Sequence, residues 1–381
     1  MLMNTSLINL RNELHQHPEL SGEETHTAQR IKSFITTHHA PTRWIDNVGG
    51  HGLLAVYELA QLGPTIVIRC ELDALPIEEA NTFDHRSIVK GVSHKCGHDG
   101  HMAIVAGLIF WIKEQQSGKI VLLFQPAEET GKGGAEVMND PRFKALHPDY
   151  IFALHNIPGE PLHSIITIPS GFSAEVHSFA LYLKGKEAHA AEPEHSINPA
   201  LAIAEMINAL AQLNVHAPTQ DDFAILTPVH IIMGEKAYGI SPGKGELHYT
   251  LRTWNEGVMN KVKQQLDQVI KTVCHTHHLE YKMDWLEYFP ASINNEQCNQ
   301  FIKEAATSLG LTIIDRPYPF KFGEDFGWFS KSYKTAMFGL GAGVNSPALH
   351  HADYDFPDEI TETGIDMFTA LIARVMTSEK P

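Results

Sequence analysis

The chain has 381 residues, 43% of them hydrophobic, with a formal net charge of −16. That length suggests about two domains with enough apolar residues for a full core. The acidic balance, without any basic tract, excludes a nucleic-acid partner, and no apolar run approaches the length of a membrane span.

Residues 1–11 lack an apolar h-region, so no signal peptide is expected. Leu7, Leu10 and Leu14 share a helical spacing over residues 5–14, which His17-Pro18 ends. A second helix is expected over 23–36, with Ala28, Ile31, Phe34 and Ile35 on one face. Residues 52–57 and 65–70 read as short strands, the second entered through Gly63-Pro64. It runs into Glu71-Leu72-Asp73, which places acids at the C-terminal end of a strand, where ligand sites of open α/β sheets gather.

The stretch Ser93-His94-Lys95-Cys96-Gly97-His98-Asp99-Gly100-His101 then offers three imidazoles, a thiol and a carboxylate. Cys96 and His98 are two apart, so an extended backbone would point both to one face. A thiolate and an imidazole converging there suit a first-row transition metal, with zinc the default and manganese or cobalt alternatives. Alone, the pair also fits a buried cysteine beside a surface histidine. A helix is expected over 99–115, begun by Asp99 or Gly100, with Asp99 a suitable N-cap.

Strand 119–125 ends in Gln125-Pro126-Ala127-Glu128-Glu129, and strand 150–154 ends on His155. Parallel strands in alternating strand–helix order present their C-terminal ends on one side. Asp73, Glu128, Glu129 and His155 are therefore expected at one edge, with Cys96 and His98 in the loop between. From about Gly171 the pattern changes: strand 176–184, helix 198–213, strands 223–232 and 246–252, helix 256–274 and strand 280–285. That β-α-β-β-α-β order is that of a ferredoxin-like sandwich. Helices over 294–309 and 363–376, with a strand near 335–339, return to the first pattern. The expected fold is thus α/β: a catalytic domain of residues 1–173 and 288–381 with a central, mostly parallel sheet flanked by helices, and an inserted ferredoxin-like α+β sandwich of residues 174–287. The four cysteines are scattered and form no Cys-x-x-Cys, which reads as reduced and cytoplasmic. Among the 24 histidines, His275, His277 and His278 read as a polar helix end.

The chain resembles the metal-dependent amidohydrolases of the aminoacylase and hippurate hydrolase type, within the peptidase family that includes the glutamate carboxypeptidases. The matching motifs are His15-Gln16-His17-Pro18-Glu19, Asp73-Ala74-Leu75-Pro76, His94 to His101, Phe124 to Glu129, Gly134-Ala135, His155, Gly185 to Pro193, Gly323-Glu324-Asp325-Phe326 and His350 to Glu359. The resemblance implies a site for two divalent ions held by Cys96, His98, Glu129, His155 and His350, with Cys96 as the bridge. It implies Glu128 as general base and the inserted domain as a lid that makes a homodimer. It further implies His189 as an oxyanion donor over the partner's metals and Arg252 as a grip on a substrate carboxylate. Asp73 suits a carboxylate orienting a metal ligand, or an ordinary strand-end cap. His189 also reads as a loop histidine, and Arg252 as one half of a surface salt bridge.

Two departures stand out. Glu71 occupies a position where relatives usually have aspartate, and Tyr238-Gly239-Ile240-Ser241-Pro242 replaces the usual lid motif, Gly239 removing a polar side chain. The expected reaction is hydrolysis of an N-acyl amino acid to a carboxylate and a free amino acid. A dipeptidase or carboxypeptidase, or an N-acetyl-diaminopimelate deacetylase, would use the same site. A binding protein for a metal or small molecule, without turnover, is the reading from another class.

Overall fold

In the computed structural model, which describes residues 2–378, the first expected helix runs over Leu2–Gln16 and buries Leu7, Leu10 and Leu14. The second is Thr25–His39, with Ala28, Ile31 and Ile35 buried at helical spacing. The strands in chain order are β1 (Arg43–Val48), β2 (Gly52–Glu58), β3 (Gln61–Glu71), β4 (Ser117–Gln125), β5 (Tyr150–Ile157), β6 (Ile165–Thr167), β7 (Glu175–Lys184), β8 (Ala188–His189), β9 (Ala224–Met233), β10 (Ile240–Ser241), β11 (Lys244–Thr253), β12 (Glu280–Phe289), β13 (Ile313–Asp315) and β14 (Lys334–Gly341).

The chain forms two compact units: Met1–Phe172, Ser292–Pro319 and Glu324–Pro381 make the first, Ser173–Ala291 and Phe320–Gly323 the second. The first holds an eight-stranded mixed sheet in the order β1-β2-β4-β3-β5-β14-β6-β13. Its centre, β4-β3-β5-β14, is parallel, while β1 with β2, β2 with β4 and β14 with β6 pair antiparallel. The central strands are near-continuous apolar runs because both faces are covered. Ile66, Ile68 and Cys70 pack with Ile120, Leu122 and Phe124 against helices Leu2–Gln16, Thr25–His39, His98–Gly107, Glu296–Ser308 and Ile360–Ser378. Alternation then turns Val67 and Arg69 to the opposite face.

Strands β1, β6 and β13 were not expected. The first lacks two-residue alternation and the others are three residues long, too short for a pattern. The helix expected over 99–115 is divided. His98–Gly107 is followed by a tighter turn at Leu108, whose amide donates to the Val105 carbonyl at 3.2 Å, and then by Ile109–Ile112.

The second unit has an antiparallel sheet in the order β12-β7-β11-β9, which is the ferredoxin-like arrangement. On β11, Leu247, Tyr249 and Leu251 are buried and the residues between them half-buried, the signature of a sheet with one covered face. Helix Glu256–Thr276 covers it through Met259, Val262, Leu266, Ile270 and Val273, and is capped by Asn255, whose side chain accepts from the Val258 amide. Helix Ala200–Ala211 adds Ala202, Ile203, Met206 and Leu210 to the same core. Among the described residues, no helix is long and apolar enough to cross a membrane.

Candidate metal centre

Adjacent parallel strands β4, β3 and β5 bring their C-terminal ends together in the first unit: Glu128 and Glu129 follow β4, Asp73 follows β3, and His155 lies within β5 near its end. The chain reaches Cys96 and then turns through Gly97, whose φ of 93° is left-handed. A side chain there would be strained in backbone, and its Cβ would sit 2.8 Å from the Asn156 side chain. Helix His98–Gly107 starts immediately after, so Cys96 and His98 converge through this glycine turn and not through the extended backbone expected from their spacing. Asp99 is likewise not the N-cap. It lies in the first turn, and its carboxylate meets His15 Nδ1 at 2.9 Å and Arg11 Nη1 at 3.2 Å.

Donor atoms of Cys96, His98 and His155 lie within 4.8 Å of one another, as do those of Cys96, Glu129 and His350, and those of His98, Glu128 and Glu129. Cys96 Sγ is 3.5 Å from His155 Nε2, while Glu129 Oε1 is 3.9 Å from His98 Nε2 and 3.8 Å from His350 Nε2. Donors around a tetrahedral ion with bonds of about 2.0–2.3 Å stand roughly 3.3–3.8 Å apart, so this spacing suits ligands better than hydrogen-bond partners. His98 Nδ1 meets the Asp73 carbonyl at 2.9 Å and His155 Nδ1 the Asn156 carbonyl at 2.9 Å. Each ring therefore donates outward and turns an Nε2 lone pair inward. His98 Nε2 and Glu129 Oε1 are buried without a hydrogen-bond partner. Such buried atoms ask for an ion, and a divalent cation fits this set of thiol, imidazole and carboxylate.

The two glutamates are held by different contacts, yet both carboxylates stay near His98, each with an oxygen 3.9 Å from its Nε2. Ala127, just before them, has φ 53°, an uncommon conformation for alanine, and its amide donates to Glu24 Oε1 at 2.8 Å. Glu128 Oε1 accepts from the Asp325 amide at 3.3 Å, whereas the Glu129 amide donates to Asp73 Oδ2 at 2.9 Å. Asp73 Oδ2 also accepts from Ser21 Oγ at 2.7 Å.

Burial, reinforced by the carboxylates of Glu324, Glu129, Asp325 and Asp73, pushes the Glu128 carboxyl well up. Burial raises Glu129 to about 7 against the pull of His98, and raises the Cys96 thiol together with the surrounding carboxylates. His155 is pushed down to about 3 by burial and by His101. For His98, burial is outweighed by Asp73 and neighbouring carboxylates, and its pKa stands at about 10. A cation among these groups would favour every deprotonated form at once.

Several partners escaped the reading of the sequence. Arg69 is fully buried, with Nη1 on Glu71, Nη2 2.7 Å from Asp325 Oδ1 and 3.0 Å from Glu324 Oε1, and Nε 3.0 Å from Gln125 Oε1. Glu71 also meets His101 Nδ1 at 2.7 Å, and His101 Nε2 lies 2.6 Å from Asn156 Oδ1. One signal was available: an arginine between Ile68 and Cys70 in an apolar strand needs buried carboxylates.

Cys96, His98, Glu128, Glu129, His155, His350 and Asp73 thus come together. His189 and Arg252 belong to the second unit. His189 is exposed on β8, where it pairs with Ile240 of β10, and its Nδ1 accepts from the Ala191 amide at 3.0 Å. Arg252 is half-buried on β11, with Nη1 donating to the Lys321 carbonyl at 2.7 Å, and burial lowers its pKa.

The profile of peptidase family M20/M25/M40 matches residues 67–374. An N-acetyl-L-cysteine deacetylase of Bacillus subtilis (strain 168) is 34% identical over 326 residues, 85% of this chain and 77% of the relative. An N-acetylcysteine deacetylase of the same organism is 27% identical over 380 residues, 99% of this chain and 98% of the relative. Among solved structures, the Bacillus subtilis YXEP protein, described as a dinuclear metal-binding peptidase, superimposes with a TM-score of 0.85 at 25% identity and covers 99% of both chains.

Proposed function

The chain belongs to peptidase family M20/M25/M40 and is a metal-dependent hydrolase of amide bonds, and we propose that its substrate is an N-acyl amino acid, cleaved to a carboxylate and a free amino acid. The carrying observation is that Cys96 belongs to two donor triads at once, with the carboxylates of both Glu128 and Glu129 within ligand spacing of His98 beside them. The deacetylase relatives support the acyl-amino-acid class.

Cys96, His98 and His155 would hold one divalent cation, and Cys96, Glu129 and His350 the other, be they zinc, manganese or cobalt. Such ions, when bound, polarise the amide carbonyl and acidify water. Glu128 takes a proton from the attacking water as the C–O bond forms, and passes it to the amine nitrogen as the C–N bond breaks. Asp73 orients the ligand set, fixing His98 through its carbonyl and Glu129 through its carboxylate.

The second unit serves as a lid and makes a homodimer. Its edge strand β9 exposes Val229, Ile231, Ile232 and Met233, an apolar edge that a second copy would cover. His189 of the partner subunit then donates to the oxyanion, and Arg252 grips the substrate carboxylate. Four unpaired, buried cysteines support a reducing, cytoplasmic setting.

Hydrolysis of N-acetylcysteine, other N-acetyl, N-benzoyl and longer N-acyl amino acids, with zinc, manganese or cobalt, tests the substrate class by release of free amine. Metal-dependent turnover of at least one of them, faster than any dipeptide, is expected. A dipeptide cut faster than every N-acyl amino acid would overturn the assignment in favour of a peptidase.

A further inference from the structure

We propose that His15, in the His15-Gln16-His17-Pro18-Glu19 motif, is a positioning residue that locks the turn Cys96–Gly97–His98 by joining the carboxylates that clamp both of its ends. The proposal rests on the reading of Cys96 and His98 as metal ligands.

His15 lies near the end of helix Leu2–Gln16 and is completely buried. Its Nδ1 is 2.9 Å from Asp99 Oδ2 and its Nε2 is 3.0 Å from Glu79 Oε1. Both ring nitrogens face carboxylate oxygens, so both must donate, and the ring is an imidazolium. Burial opposes that charge, but Asp99 and Glu79 together hold the pKa up at about 9.

Each carboxylate leads to one end of the ligand turn. Asp99 follows His98 directly, and Arg11, one helical turn before His15, grips the same Oδ2 at 3.2 Å. Glu79 binds Lys95 Nζ, and that nitrogen also donates to Asn81 Oδ1 and the Tyr354 carbonyl, both at 2.8 Å. Lys95 precedes Cys96, and its carbonyl accepts the His350 amide at 2.8 Å. One imidazolium thereby ties the residue before Cys96, the residue after His98 and, through Lys95, the backbone of His350. Donor atoms of His15, Asp99 and Asp355 also fall within ligand spacing, yet Arg11 Nη1 already lies 2.9 Å from Asp355 Oδ1 and 3.2 Å from Asp99. The cluster's carboxylates are already engaged by Arg11, His15 and Lys95, and it works as a brace.

Glutamine at position 15 keeps the volume but brings one amide of mixed donor and acceptor character between two carboxylates. Zinc affinity of full-length His15→Gln, measured by chelator competition, is expected to fall roughly 10- to 100-fold, the usual effect of losing a group that orients metal ligands. Turnover at saturating zinc should fall less than the affinity does. Glu79→Gln, which removes the carboxylate that His15 and Lys95 share and leaves the Asp99 contact in place, should weaken zinc in the same direction and guards against a His15 variant that does not fold. Unchanged zinc affinity in both variants, with only a lower melting temperature, would overturn the proposal. So would an unchanged affinity with turnover lost. Wild-type protein that binds no zinc would overturn the ligand assignment itself, and this is read before either variant is made.

Discussion

Arg69→Met removes the one fully buried guanidinium among Glu71, Glu324 and Asp325 while keeping much of its volume. Arg69 Nη2 sits 2.7 Å from Asp325 and 3.0 Å from Glu324, Nη1 contacts Glu71, and the arginine and its three acids are at most 1% exposed. Breaking a buried ion pair by removing one partner costs about 3–5 kcal/mol. Three stranded carboxylates would cost more if they stayed ionised, but they escape by binding protons. Burial already pushes Asp325 up to about 7 with Arg69 present, whereas Arg69 holds Glu71 well down despite its burial. Without the arginine all three folded-state pKa values rise above those of the unfolded chain. The folded state then binds protons that the unfolded state does not, and stability falls as pH climbs above about 4. The deficit should therefore be larger at about pH 8 than at about pH 5. Differential scanning calorimetry should record a loss of roughly 6–20 °C at the higher pH, from 2–4 °C per kcal/mol for a unit of this size. A loss under about 1 kcal/mol, or one equal at both pH values, would refute the view that Arg69 is the counter-charge of this cluster.

Glu128→Gln should lower turnover by roughly 100-fold or more with metal retained, and Glu129→Gln should instead weaken metal binding; elemental analysis with steady-state kinetics separates them. His189→Ala should cost on the order of 100- to 1000-fold in turnover with its metals in place. Co-expressed with Glu128→Gln it should recover activity in mixed dimers, and the lack of recovery in verified heterodimers would place His189 outside a shared site. His15, whose pKa is raised to about 9, should contribute stability that is full below about pH 6.5 and fades as pH rises through 9. Urea unfolding of wild type and His15→Gln should therefore converge towards high pH.

The ligand cluster was legible because few rules govern it. Alternating strands and helices made β3, β4 and β5 parallel neighbours, and parallel strands bring Asp73, Glu128, Glu129 and His155 to one edge. The ferredoxin-like order of the second unit was readable from Leu247, Tyr249 and Leu251 alternating along β11 and from the apolar stripe of helix Glu256–Thr276. Long-range pairing was not legible. Asp99 looks like an N-cap within its own segment, yet its partner Arg11 lies 88 positions away, and Arg69 meets Asp325 256 positions away. Periodicity carries no information on such pairs. The left-handed turn at Gly97 was hidden for a related reason: the space that excludes a side chain there is occupied by Asn156 from β5.

Metal content of purified wild type and Cys96→Ala, by mass spectrometry alongside hydrolysis of an N-acyl amino acid, bears most directly on the shared-thiolate site. Because Cys96 lies in both donor triads, its loss should affect both ions. Two divalent ions per chain in the wild type, and about one or fewer in Cys96→Ala with hydrolysis lost, are expected. A Cys96→Ala protein that keeps two ions per chain and full turnover would contradict it.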